Sequence, residues 1–331
     1  MTEIAGSQPD KVLPNIVKLN VKGRSPWQEA WERFFRNKAS VAGLVIVVFF
    51  LFITVFAAVI APHSPLQLHS GKSFLPPAWV EKSATNKTGD PEFLFGTDTL
   101  GRDVLSRVIY GSRVSMMVGF VPTVIIILVG TIVGLVAGYY GGGWDNFLMR
   151  LTDIMYGFPD LLFFIIALIS LRDTWIGELM SGLFLLFCAL AIIHWVGVAR
   201  LVRGQVLSLK EKEFIEAARS IGVKDSRIML RHLLPNVLGP IIVLTAFLIP
   251  QMIITEAILG YLGLGLKPTT NPEAFFITSW GSLLLEGQTA INAQPFLLLA
   301  PAGCVALVVL AFTFIGDGLR DALDPRMRGT Q

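Results

Sequence analysis

The sequence predicts an all-α polytopic membrane protein with six transmembrane helices, and three observations predict it. Of 331 residues, 53% are hydrophobic and 15% charged, at a mean hydropathy of +0.64, where soluble domains carry about 25% charge. The missing charge is removed in blocks, which leaves apolar stretches long enough to cross a bilayer. Between those stretches the basic residues are uneven: 19 Lys and Arg lie on the side that bears the termini and 8 on the other. Cytoplasmic loops hold that excess, so both termini are expected in the cytosol. The formal charge of +3 is too small to point to nucleic acid.

The elements follow in order. Residues 1–24 are polar and charged, with no early apolar core of a signal peptide, and are expected to be a flexible cytosolic tail. Residues 25–38 read as an interfacial amphipathic helix. Ser25, Pro26 and Gln28 have the pattern of an N-cap, a first-turn proline and a capping box. Trp27, Ala30, Trp31 and Phe34 share one face, while Arg33, Arg36 and Lys38 supply the basic remainder. Residues 39–61 carry no charge and at ~1.5 Å per residue reach ~34 Å, enough for a first span. An external loop with an amphipathic helix is expected over 62–113, where Asp103 and Arg107 are spaced to pair and Leu100, Val104, Leu105, Val108 and Ile109 face the membrane. The second span, 114–138, contains Pro122 and repeats Gly130, Gly134 and Gly138 every fourth residue, a stripe that lets another helix approach closely. The third, 154–171, is interrupted by Pro159 and Asp160. The fourth (179–199), the fifth (237–259) and the sixth (296–315) enclose a cytosolic loop at 200–236 and an external one at 260–295, before a cytosolic tail at 316–331.

Catalytic chemistry is not legible anywhere in the chain. Gly71-Lys72-Ser73 lacks the upstream glycine and apolar strand of a phosphate-binding loop. His63 and His69 are loosely spaced with no acidic cluster in the pattern, so they read as unliganded loop histidines and no metal is expected. Asn86-Lys87-Thr88 is an accidental sequon. Cys188 and Cys304 both fall within predicted spans, which argues against a disulfide scaffold. Energy for any transport must then enter from outside the chain.

The loop at 200–236 is where it would enter. Its first half places Phe214, Ile215, Ala218 and Ile221 on an apolar face, with Ala217 and Ala218 small enough for close backbone contact. Gly222 can end that helix in a left-handed conformation before Asp225 or Ser226 caps the next. Ile228, Met229 and Leu233 make the second helix amphipathic too. Such a helix–glycine–helix is either a knob for a groove on another protein or a hairpin packed on the chain's own spans.

Glu216, Ala217, Ala218 and Gly222, with Leu234-Pro235 at the end, resemble the EAA loop of ABC-importer permeases. Further segments resemble the second permease of dipeptide, oligopeptide and nickel importers: Phe95 to Arg107, Gly138 to Pro159, Leu262 to Pro268 with Trp280-Gly281, and Gly316 to Pro325. The likeness runs from about Trp27 to Arg326, and residues 275–279 depart from the family's spacing. It implies a type I ABC-importer permease fold and an ATPase-coupling role for Glu213, Glu216, Ala217, Ala218, Gly222, Leu234 and Pro235. The partners implied are a homologous second permease, two ABC ATPase subunits that use ATP and Mg2+, an external substrate-binding protein and the lipid bilayer. The chain itself is expected to bind no cofactor and to be no enzyme. The location implied is the cytoplasmic or inner membrane of a bacterium or archaeon. Short peptides are the implied cargo, with nickel complexes and oligosaccharides as alternatives within the family.

Within the spans, Pro240, Pro250 and Gln251 predict a kinked, partly polar fifth helix and make it the pathway candidate. Glu256 either lines that pathway and meets a peptide amino group, or forms a gate-region or interfacial salt bridge, the reading the residues favour. Asp160 is expected to cap the third span, and His194 to be hydrogen-bonded inside the bundle. The rival class is an ion-gradient-driven secondary transporter, which often carries inverted repeats and a buried ionisable cluster that the sequence lacks.

Overall fold

A computed structural model describes residues 26–83, 85–271 and 274–323. The 1–24 tail, the Ser25 cap, and Pro325 and Arg326 lie outside them. The described residues fold into helices and loops, with one isolated β-bridge between Thr97 and Asp103. In chain order the helices are α1 (Pro26–Arg36), α2 (Lys38–Ile60), α3 (Val104–Tyr140), α4 (Gly142–Tyr156) and α5 (Asp160–Leu171). Then come α6 (Trp175–Glu178), α7 (Leu183–Leu209), α8 (Glu213–Ser220), α9 (Asp225–Ile228), α10 (Leu234–Tyr261), α11 (Trp280–Thr289) and α12 (Phe296–Leu323). Five helices or helix runs are long and apolar enough to cross a membrane, and α4 with α5 makes a sixth if the bent pair counts as one span.

α1 and α2 are separated by Asn37, whose side-chain oxygen accepts the N–H groups of Ala39 and Ser40 at 3.0 and 3.4 Å. That cap turns the chain from one helix into the next. Ala30 and Phe34 of α1 are buried against Ala322 of α12, while Trp27, Trp31 and Phe35 stay exposed. α2 also packs along α12, closely enough that a Cβ on Gly43 would meet the Ala311 carbonyl oxygen at 2.5 Å.

The external helix and the second span are one helix. α3 runs 37 residues, ~55 Å, starting at Asp103, whose carboxylate accepts the Ser106 N–H at 2.9 Å. The boundary expected between 113 and 114 does not interrupt the helix, and the charge of Arg107 within it is taken up by tertiary partners. Arg107 is directed away from Asp103: it donates to Asp98 at 2.7 Å and to Glu286 of α11 at 2.8 Å. The Asp103–Arg107 pair expected from their spacing therefore does not form. Val104, Val108 and Ile109 are buried against neighbouring elements rather than facing lipid, and only Leu100 is exposed.

The range 154–171 is not a straight span. α4 ends at Tyr156 and α5 leaves at 82° to it, with Pro159 preceding the first residue of α5. The candidate fourth span runs over Trp175–Leu209, and its long helix α7 begins at Leu183, after a short 3-10 turn in which Met180 and Ser181 take positive φ. α10 keeps a helical backbone through Pro240 and Pro250. The main packing axis is α3 against α7, parallel and side by side, with Gly130, Gly134 and Gly138 facing Val198, Ala199, Val202, Arg203 and Val206. Added Cβ atoms at those glycines would come within 2.5–2.8 Å of their nearest neighbours, so the stripe sets the interhelix distance.

Candidate coupling site and translocation cavity

α8 is short and stands where α7 leaves the bundle. Its end is built by two hydrogen bonds: Gly222 N–H to Arg219 O at 2.9 Å and Val223 N–H to Ala218 O at 3.1 Å. This is the Schellman arrangement, and it needs a left-handed residue at Gly222, which has φ +77°. The second helix is not capped as expected. Lys224 holds the N-cap position without a side-chain bond, and Asp225 accepts the Tyr139 hydroxyl at 2.6 Å, which ties the loop to the end of α3. Arg219 lies over the Tyr139 ring at 5.0 Å. Nearby, Arg203 clamps Asp145 of α4 through two bonds of 2.5 and 2.6 Å, and Arg200 reaches Asp153 at 2.6 Å.

The apolar face expected of α8 divides into two. Ile215 and Ala218 are buried in the same core as Val202, Val206, Ile228 and Leu233. Phe214, Ala217 and Ile221, spaced at i, i+3 and i+7, point the other way, with Phe214 44% and Ile221 80% exposed. Ala218 thus seats the helix on its own chain, and only Ala217 of the small pair can meet a partner. Glu213 and Glu216 are exposed, as is Pro235, while Leu234 is half-buried at the start of α10. The knob is therefore rigidly mounted and has an apolar, acid-flanked outer surface.

Glu256 has no basic partner among the described residues, so the salt bridge expected of it does not form within them. It is 1% exposed, and its Oε2 accepts the Ser115 hydroxyl of α3 at 2.9 Å. Ser115 Oγ in turn accepts the N–H of Trp280 at 3.2 Å, at the N-terminus of α11. A carboxyl group placed at a helix N-terminus meets the positive end of the helix dipole, which replaces the missing cation. Pro250 is also buried in α10. Gln251 alone of the three pathway candidates opens into a cavity of about 390 Å³, together with Tyr156, Asp160, His194 and Leu248. Asp160 and His194 sit in that cavity wall, where sequence spacing offered only a cap and a core histidine. Its walls come from α4, α5, α7 and α10, so no single helix pattern reveals it.

A polytopic helical bundle with a partly polar cavity between its spans and a braced helical knob is the architecture expected of a membrane-embedded transport component. Residues 130–329 match the family model described as binding-protein-dependent transport system inner membrane component, and residues 25–77 match the N-terminal TM domain of oligopeptide transport permease C. The chain belongs to this family of transport permeases. It is 41% identical over 319 residues to the oligopeptide transport system permease protein OppC of Haemophilus influenzae, covering 96% of this chain and 94% of that one. It is 42% identical to the Escherichia coli OppC (94% and 95% covered) and 39% to the dipeptide transport system permease DppC of Alkalihalophilus pseudofirmus (92% and 91%). Among solved structures, a chain of the inward-facing MetNI methionine ABC transporter shares the fold at a TM-score of 0.51 and 16% identity, covering 66% of this chain and 96% of that one.

Proposed function

We propose that the chain is the non-catalytic permease subunit of an ATP-driven importer that carries short peptides into the cytoplasm. The relatives' names supply the cargo class, and the outward face of α8 carries the mechanism. Phe214, Ala217 and Ile221 form an apolar strip on a helix whose other side is locked into the bundle core. That strip suits a groove on a partner, here an ABC ATPase subunit, one of two that use ATP and Mg2+ while this chain binds neither. The second half of the pathway comes from a homologous permease, and an external binding protein delivers the peptide. Both termini and α8 face the cytosol of a bacterial or archaeal cell, and the exposed tryptophans of α1 lie at headgroup depth.

In this reading the cavity around Gln251, Asp160 and His194 is the polar part of the route. Closure of the ATPases on nucleotide draws α8 inward and rocks the bundle as a unit, a hinge-type transition. The test is reconstitution of the chain with its genomic partner subunits in vesicles, followed by uptake of labelled peptides. Uptake should require ATP, the ATPases and the binding protein together. Gradient-driven uptake by vesicles holding this chain alone would overturn the reading.

A further inference from the structure

At the end of the bundle remote from α8, the loop after α2 brings together three groups that are scattered in sequence. One candidate ligand atom from each of His63, His69 and Glu92 lies within 4.8 Å of the other two. We propose that these three residues bind a divalent transition-metal ion of the zinc class, with the fourth coordination position open to solvent.

One of the two histidine tautomers is set for it. His69 Nδ1 lies 2.9 Å from the Gly101 carbonyl oxygen, so Nδ1 carries the proton and Nε2 is left with its lone pair. His63 Nδ1 faces the buried Asp103 carboxylate at 3.6 Å, and its Nε2 faces Glu92 Oε1 at 3.6 Å. His69 thus has the Nδ1–carbonyl bond that orients metal-binding histidines, and His63 has a carboxylate on its Nδ1 side and Glu92 on its Nε2 side. The Nε2–Oε1 distance is too long for a hydrogen bond. It is close to the ~3.4 Å that separates two ligands of a tetrahedral ion bound at ~2.0–2.1 Å.

Buried atoms are left over as well. His63 Nδ1 and Asp103 Oδ1 have no hydrogen-bond partner. A small rotation of the His63 ring onto a metal would close its gap to Asp103 and pair that nitrogen. The rings are held by Phe93, which is fully buried: His63 stacks on it at 5.1 Å and His69 meets it edge-on at 4.9 Å. Lys72 does not block the site. Its Nζ takes the other carboxylate oxygen, Glu92 Oε2, at 2.6 Å, together with Asp90 at 3.1 Å. Two imidazoles and one carboxylate oxygen select zinc and its neighbours over magnesium or calcium, which prefer all-oxygen sites. Because Asp103 also caps α3, a bound ion would staple residues 63–93 to the start of the longest helix. Sequence spacing hid this site, since Glu92 enters from well beyond the two histidines.

The experiment uses the full chain in detergent, free of any histidine tag, stripped with EDTA and titrated with zinc chloride by calorimetry, with magnesium and calcium chlorides as controls. The expected result is one Zn2+ per chain, and a melting temperature raised by Zn2+. Glu92→Gln and the double variant His63→Gln/His69→Gln should each weaken binding at least ~10–100-fold. Glu92 is half-exposed, so its variant keeps the test decisive if the histidine variants do not fold. Absence of saturable Zn2+ binding to the wild-type chain, or unchanged affinity in the Glu92→Gln chain, overturns the proposal. Neither readout involves cargo or ATPase, so its failure is separate from any failure of the transport reading.

Discussion

Gly222 offers the sharpest test of the coupling knob, because two physical effects separate there. Its φ of +77° is one that side-chain-bearing residues rarely adopt, yet an added Cβ would meet no atom within 4 Å. Substitution therefore causes no clash, and its whole effect comes from backbone conformation. A non-glycine residue in the left-handed region costs roughly 1–2 kcal/mol, more when β-branched, while asparagine tolerates it best. A loss of 1–2 kcal/mol lowers the population of the capped turn by a factor of about 5–30. An eight-residue helix does not hold itself together in water, so α8 depends on that cap and on Ile215 and Ala218. When the cap opens, Ile221 no longer stands in line with Phe214 and Ala217. The expected order of ATPase capture is Gly, then Asn, then Ala, then Val. Membrane insertion should stay equal across the series, because Gly222 contacts no span. The assay is co-purification of the ATPase subunits in mild detergent with insertion scored in parallel. Wild-type capture by Gly222→Val would refute the reasoning, since the distorted turn would then be irrelevant to docking.

Gly134→Val should lower the melting temperature of the purified chain, at the upper end of the ~1–3 kcal/mol typical of overpacking. Its Cβ would come within 2.6 Å of the Ala199 carbonyl oxygen, which is backbone and cannot step aside. For Glu256, the Gln variant should leave peptide uptake near wild type because it can still accept the Ser115 hydroxyl bond. Glu256→Leu should destabilise by about 1–3 kcal/mol through the unpaired groups it leaves, and a large uptake defect in Glu256→Gln at normal assembly would contradict this structural role. Acid should loosen the 72–92 loop selectively. The Glu92 N–H and then Lys72 hold Asp90 below its ordinary range, and Lys72 holds Glu92 below its own. Groups with lowered pKa stabilise at neutral pH and lose that contribution as pH falls through the carboxylate range. Amide exchange across the loop should therefore quicken there before it does in α3.

Local pattern carried much of the fold and stopped where partners are distant. The glycine stripe of α3 and the left-handed Gly222 follow from residue type and spacing alone, and the structure has both. The split of the α8 apolar face does not: Phe214 and Ile215 look alike in sequence, and only the position of the α7 core decides which one is buried. Sequence spacing places Arg107 in the external loop, poised to pair with Asp103 on an exposed face. Its partners are instead Asp98 and Glu286, and the second of them lies on the distant α11. Glu256 was weighed as needing a cation, yet its neighbours are a hydroxyl from α3 and a helix N-terminus. A helix dipole leaves no charged residue to find in a sequence.

The cavity and the knob share one piece of packing. Ile215 and Ala218 of α8 belong to the buried cluster that also holds Val198, Val202 and Val206 of α7 and Leu248 of α10. Val198 and Leu248 also line the cavity that Gln251 opens into. Close-packed interiors deform little, so a push on α8 is passed on as displacement and is not absorbed locally. The Arg203–Asp145 clamp links α7 to α4, and α4 supplies Met155 and Tyr156 to the same cavity. In the proposed function, force applied at Phe214 and Ile221 would reach the cavity by two routes, one apolar and one ionic. Cutting the ionic route with Arg203→Ala while leaving Ile215 in place should uncouple ATP turnover from uptake without releasing the ATPases. Full uptake in that variant would mean that the apolar route alone carries the motion.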